Sequence, residues 1–392
     1  MLSLLGLARK SLSRVAIAIT ALTVAACEPV STTGAGGPAI DTNAAVPVAL
    51  LVPSGSGQAS DELLARSLQN AARLAIADLG NVKVDLRVYN TSGQPAQAAA
   101  MASKAVDEGA KIILGPVYAQ EANAAGAAVA SRGVNVLSFS NNGDIAGGNV
   151  FVLGPTFQNT ADRLSRYAVR QGTTRIMIVN DRDITGEIGR TAIQQAVGRA
   201  GGTVVASESY ALSQNDIMSA APGIAAQAKS SSAQAVFFTA ASDKALPLVT
   251  QLLRDNGVAA ETTRYIGLTR WDIPSAAATL PSLQGGWFAL PDPGLYSQYQ
   301  ARYQTAYGEA PPPISALAYD GIAAIGALVK QGQSDALTGR RLTQGSGFVG
   351  VNGIFRLLGD GTNERGLAVA QIRNNQVAVI DPAPRSFGGA GF

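Results

Sequence analysis

No histidine occurs anywhere in the chain, and Cys27 is its only cysteine. Histidine is the usual proton-transfer base near neutral pH and the commonest metal ligand. A Ser-His-Asp triad, a Cys-His pair and zinc centres built on histidine or several cysteines are therefore excluded, as is a disulfide within the chain. None of the seven lysines has a serine three residues before it, and neither G-x-x-x-x-G-K-[ST] nor G-x-S-x-G is present. Carboxylates are the catalytic groups left. The pair Asp181 and Asp183 around Arg182 ends a strand and reads more readily as a solvated loop than as a metal or sugar site. Gly345-Ser346-Gly347-Phe348-Val349-Gly350 fits G-x-G-x-x-G, but an extended segment follows it rather than a helix, so dinucleotide binding fails its context. The chain is accordingly read as a non-enzymatic protein without cofactor or metal, and its polar loops as binding loops.

Charge narrows the ligands further. The chain carries 30 basic and 27 acidic side chains, but Arg9, Lys10 and Arg14 stand in front of an apolar run, Val15 to Ala26, that ends at Cys27. Twelve residues fall short of the roughly 20 needed to span a bilayer, and small residues precede the cysteine, so residues 1–26 read as a signal peptide. Its removal takes three positive charges and leaves 27 of each sign, which withdraws the support for nucleic-acid binding. Val24-Ala25-Ala26-Cys27 resembles the bacterial lipoprotein cleavage signal, which implies a lipidated Cys27, a periplasmic location and membrane attachment through the lipid alone. Glu28 is not the aspartate that retains lipoproteins at the inner membrane in enteric bacteria, which favours the outer membrane. Residues 27–45 are small, polar and aperiodic and read as a flexible linker.

From residue 46 short β-branched runs alternate with longer Ala-rich amphipathic runs. Strands are expected at 46–52, 82–89, 111–114 and 134–138, with helices between them; Ser60 is expected to cap the first helix. A second series begins near Thr156, with strands at 175–180, 203–209, 235–239 and 264–268. A strand at 286–290, helices at 296–307 and 314–331 and a β-rich end follow. Repeated strand-helix alternation implies parallel sheets covered on both faces by helices. The fold class is thus α/β with two doubly wound parallel-sheet lobes. The expected division is 46–152 plus 284–331 for the first lobe, 153–283 plus 332–380 for the second, and 381–392 as a tail.

Five stretches taken in order carry a resemblance: Val48-Ala49-Leu50-Leu51-Val52-Pro53, Ile112-Ile113-Leu114-Gly115-Pro116, Asn135-Val136-Leu137-Ser138, Ala318-Tyr319-Asp320-Gly321, and Phe348-x-Gly350-x-x-Gly353-x-Phe355 with Gly359-Asp360-Gly361. Over about residues 46–380 the chain resembles the type I periplasmic solute-binding proteins of the leucine/isoleucine/valine-binding class. The resemblance implies two lobes joined by three crossing segments, with ligand held between them. The stretch Ser138 to Asn142 with Gly147 to Pro155 looks most like the lipoprotein activators of penicillin-binding proteins that share this fold. That likeness implies a peptidoglycan synthase as partner; the alternative is the receptor of an ABC importer for branched-chain or other amino acids, with a permease as partner.

In open α/β sheets ligands lie beyond the carboxyl ends of strands. The loops at those ends supply Ser54, Tyr118, Gln120, Ser138, Ser140, Asn141 and Asn142 from the first lobe, and Asp181, Thr185, Arg270, Trp271 and Asp272 from the second. In the resembling class a lobe-one hydroxyl and backbone N–H groups hold the ligand carboxylate, and a lobe-two acid meets its ammonium. Here that place reads Leu268-Thr269-Arg270-Trp271-Asp272. Arginine has the wrong sign for an ammonium, and an Arg-Trp pair suits an anionic or planar group.

Overall fold

A computed structural model describes residues 37–388 of the chain. Cys27, the 1–26 leader and the last four residues lie outside the described residues. The first sheet has the order β2-β1-β3-β4-β5, built from β1 (Val46–Val52), β2 (Val84–Asn90), β3 (Ile112–Leu114), β4 (Asn135–Ser138) and β5 (Val150–Val152), all parallel. Between them run α1 (Ala59–Asp78), α2 (Pro95–Asp107) and α3 (Ala119–Val129). Position in the sheet explains the sequences. Central β1 and β3 read Val-Pro-Val-Ala-Leu-Leu-Val and Ile-Ile-Leu, because helices cover both faces. Edge strand β2, Val-Asp-Leu-Arg-Val-Tyr-Asn, alternates and stays half-buried.

The second series gives α4 (Phe157–Arg170), β6 (Arg175–Asp181), α5 (Ile184–Arg199), β7 (Thr203–Tyr210), α6 (Gln214–Ser230), β8 (Ala235–Phe238), α7 (Leu246–Asp255), β9 (Arg264–Gly267) and β10 (Trp287–Leu290). Two further long helices, α8 (Pro293–Tyr307) and α9 (Ala316–Val329), precede the short α10 (Gly339–Leu342). A small antiparallel sheet follows, β11 (Phe348–Gly350), β12 (Gly353–Leu357) and β13 (Asn363–Arg365), and then β14 (Ala368–Arg373) and β15 (Gln376–Asp381). The second sheet has the order β15-β14-β10-β9-β8-β6-β7, parallel except for β14 and β15.

Strand β10 pairs with β9 and β14, so it belongs to the second sheet, and the expected boundary at 284 moves to the segment after Leu290. Conversely Ala336, Leu337, Leu342, Phe348 and Phe355 join Val48, Leu50 and α9 in the core of the first lobe, so 332–357 is not second-lobe structure. In both cases long-range pairing and packing, rather than the order of the segments, set the lobe. The chain therefore crosses three times, after β5, after β10 and around β13. Two more expectations shift. Residues 37–45 are not a free linker: Ile40 is buried in the first-lobe core and its N–H donates to Ser334 O at 2.9 Å. Asp381 ends β15 instead of opening a tail, since its carboxylate accepts from Arg163 and Arg170, each at 2.8 Å. Helix α1 begins at Ala59 with Gln58, not Ser60, in the capping position, while Glu62 turns back to accept from Gly55 N at 2.6 Å.

Among the described residues no helix is long and apolar enough to cross a membrane. No group of three or more metal-ligating side chains occurs among them either.

Candidate functional site: a cavity between the lobes

The loops after β3 and β4 meet those after β5, β9 and β10 around a cavity of about 620 Å³. That volume is within the range of about 300–1,000 Å³ usual for small-molecule sites. Its first-lobe wall is made by a loop that holds itself. Ser138 Oγ donates to Pro116 O (3.2 Å) and accepts from Ser140 N (3.1 Å); Ser140 Oγ accepts from Asn142 N (3.1 Å); Asn142 Oδ1 accepts from Asp144 N (2.9 Å). Three successive side-chain-to-backbone turns thus stiffen the loop and leave Asn141 and Asn142 on the cavity. The crossing segment lies directly on this loop: a Cβ at Gly154 would stand 2.3 Å from Ser140 O, so only glycine fits. Tyr118 stands at the N-cap position of α3 beside Ala119 without a capping side-chain bond, and its hydroxyl donates to Asp61 Oδ1 at 2.6 Å. That bond to a carboxylate, with burial second, pushes its pKa up to about 12.

The second-lobe wall begins at Thr156, which caps α4 through a reciprocal pair: Asn159 N donates to Thr156 Oγ1 (3.2 Å) and Thr156 N to Asn159 Oδ1 (2.8 Å). Phe157 and Thr160 project from that first turn onto the cavity. Arg270 faces it from the loop after β9, half-buried and paired with Asp272 through Nε to Oδ1 at 2.9 Å and a second bond from Nη2 to Oδ2.

Behind the cavity the crossings are tied together by buried polar groups. Arg365 on β13 donates through Nε to Leu153 O at 3.0 Å and through Nη1 to Asp320 Oδ2 at 3.2 Å, with its guanidinium over the Phe355 ring. Asp320 also accepts from Val351 N (2.8 Å) and Asn352 Nδ2 (3.0 Å). Asn363 Nδ2 donates to Val152 O and Gly154 O at 2.7 and 2.9 Å. Burial lowers the pKa of Arg365, against the opposing pull of Asp320.

Of the residues expected at the site, the cavity gathers Tyr118, Ser140, Asn141, Asn142 and Arg270. The others stand elsewhere. Ser138 lies beneath its loop as a brace. Ser54 donates to Glu62 Oε2 at 2.7 Å, and Gln120 lines a separate depression with Ser56 and Ser92. Trp271 is core: wholly buried, it stacks on Phe288 with 6.3 Å between ring centroids, in space that Gly267 and Gly286 leave free. Asp272 is turned to Arg270 and does not line the cavity. Asp181 is buried against the Tyr210 hydroxyl at 2.5 Å, and burial raises its pKa. Thr185 is exposed on α5. Sequence reasoning missed Thr156, Thr160, Asn352 and Arg365, and most of the apolar wall. The Thr156-x-x-Asn159 spacing is a cap signal that places the first two; nothing local marks the others.

A protein from Rhodospirillum rubrum described as a branched-chain amino acid ABC transporter shares 20% identity over 86% of this chain and 100% of its own, with a TM-score of 0.74. An ABC transporter substrate-binding protein from Desulfitobacterium hafniense, in complex with Leu, shares 16% over 86% and 100%, with a TM-score of 0.64. An ABC transporter solute-binding protein from Rhodopseudomonas palustris, in complex with benzoate, shares 16% over 89% and 99%, with a TM-score of 0.58. At these identities the likeness carries the fold. No curated protein sequence matches. The family model described as periplasmic binding protein matches residues 45–376, the whole of both lobes up to β15, and the chain belongs to that family.

Proposed function

We propose that the chain is the solute receptor of an ABC-type importer, holding a small organic ligand between its lobes and presenting it to a permease. The observation that carries the reading is the cavity of about 620 Å³ bounded by both lobes and backed by the crossings. A ligand touching both walls would favour the closed arrangement over the open one by its extra contacts, which is how binding becomes a signal to a partner. Regulation of a peptidoglycan synthase asks for no cavity of this kind, and the three solved relatives described above are named as transport proteins. The proposal keeps the lipidated Cys27 and the periplasmic side of the membrane, with the lipid as the sole membrane contact. Within the cavity we assign ligand contact to Tyr118, Ser140, Asn141, Asn142 and Arg270.

The test is small-angle X-ray scattering of the mature protein against a panel of amino acids and organic acids, joined to cross-linking in envelope preparations. A solute-dependent fall in radius of gyration together with cross-links to an identified ABC permease is expected. A protein that keeps one shape with every solute and cross-links to a peptidoglycan synthase instead would overturn the reading.

A further inference from the structure

The cavity wall is chemically lopsided. Its two charged lining residues among those described are guanidiniums, Arg270 and Arg365, and no Asp or Glu lines it. The acids bonded to lining side chains do not themselves line it. Asp61 accepts the Tyr118 hydroxyl, Asp272 grips Arg270, and Asp320 is occupied by Arg365, Val351 N and Asn352. An ammonium entering this space would lose its water and find no carboxylate in return, with cationic groups on two sides.

The remaining surface divides into two parts. Phe139, Phe157, Ile273, Ile314, Leu317 and Leu367 make an apolar wall. Opposite in character are Asn141 and Asn142, the first turn of α3 at Ala119, whose leading N–H groups have no partner within the helix, and Arg270. Arg270 spends Nε and one Nη2 proton on Asp272, which leaves Nη1 free for an anion. Donors and positive ends thus converge while acceptor charge is missing.

From this asymmetry we propose that the ligand is an amine-free monocarboxylate with an apolar aliphatic or aromatic body, and that the cleft discriminates against the α-amino acid of the same skeleton. This assignment rests on the receptor reading and deepens it. Arg270 and the amide groups meet the carboxylate; the phenyl, isoleucyl and leucyl side chains meet the body; the ammonium is rejected because nothing neutralises it.

Calorimetric titration of the mature protein with matched sets tests this: 3-phenylpropanoate, phenylalanine and 3-phenylpropanamide, and 4-methylpentanoate with leucine. Each acid is expected to bind at least tenfold more tightly than its amino acid, and 3-phenylpropanoate at least tenfold more tightly than its amide. Thr269→Glu, which puts a carboxylate on the second-lobe wall at a lining, half-buried position, is expected to reverse the order between acid and amino acid. Amino acids that bind as tightly as the acids, or tighter, overturn the assignment and leave the receptor reading standing. An amide equal to its acid overturns it as well, since no anion is then being read. If no member of either set binds, the assignment falls, and the scattering panel decides separately whether another solute closes the lobes. The wild-type titrations stand alone should Thr269→Glu fail to fold.

Discussion

Two arginine-aspartate pairs sit a short way apart and do different things. Arg365 and Asp320 come from segments 45 residues apart, have side-chain exposures of 3% and 0%, and find further partners in Leu153 O, Val351 N and Asn352. Arg270 and Asp272 are two residues apart, with exposures of 29% and 19%, and grip one another at the edge of the cavity. A buried pair is expensive to break because the survivor is a bare charge without water, whereas a half-wet local pair contributes little to folding. The difference teaches which charge is scaffold and which is available to a ligand: the first ties crossing segments to α9, the second holds one guanidinium steady at a wall.

The contrast can be broken in four ways. Arg365→Met removes the buried cation and leaves Asp320 with its hydrogen bonds from Val351 and Asn352 but no counter-charge; it should cost about 3–5 kcal/mol in denaturant unfolding, and a cost under 1 kcal/mol would erase the distinction. Gly350→Ala strikes the same pair from the other side, since its Cβ would stand 2.0 Å from Asp320 Oδ1. Forced displacement of that carboxylate should cost about 1–3 kcal/mol by the same measurement. Arg270→Gln should change unfolding free energy by no more than about 1 kcal/mol. Its affinity for any bound carboxylate should fall about tenfold or more by calorimetry, a loss of about 1.4 kcal/mol.

Asp181 supplies the smallest effect and a third case, a buried acid held by a tyrosine hydroxyl instead of a guanidinium. Burial raises its folded pKa, with the Tyr210 bond opposing. From about pH 4 upward the unfolded chain ionises this group first, so the native state holds the extra proton and this contribution to stability declines as pH rises through the folded pKa. Asp181→Asn should therefore gain stability on the wild type between about pH 4 and neutrality; parallel pH profiles in thermal melts would remove Asp181 as their source.

What was legible from the sequence follows from where each signal lives. Parallel central strands such as Ile112–Leu114 and Ala235–Phe238 are short apolar runs bounded by turn residues, and the alternation with Ala-rich helices needs no long-range information. The loop from Ser138 to Asn142 was legible as a cleft element for the same reason: it closes a strand in a doubly wound sheet. Trp271 was not. Between Arg270 and Asp272 it looks like part of a polar cleft cluster, and only the missing Cβ atoms of Gly267 and Gly286 make room for its ring inside the lobe. Arg365 had no local mark at all, because its partners arrive from residues 153 and 320. The lobe boundaries failed likewise at β10 and at 332–357, where pairing and packing join distant segments.

The route of β14 has a consequence for biosynthesis. This antiparallel strand sits between β10 and β15, and Arg163 near the start of the second lobe bonds Leu367 O just before it, at 2.6 Å. The second sheet therefore stays unfinished until β15, which ends at Asp381, has been synthesised. The first lobe is delayed too, waiting on Phe348 and Phe355. Both halves mature late and nearly together, so a nascent chain cut short after Leu342 should expose an unfinished second sheet and an incomplete first-lobe core to proteases rather than leave one finished module behind.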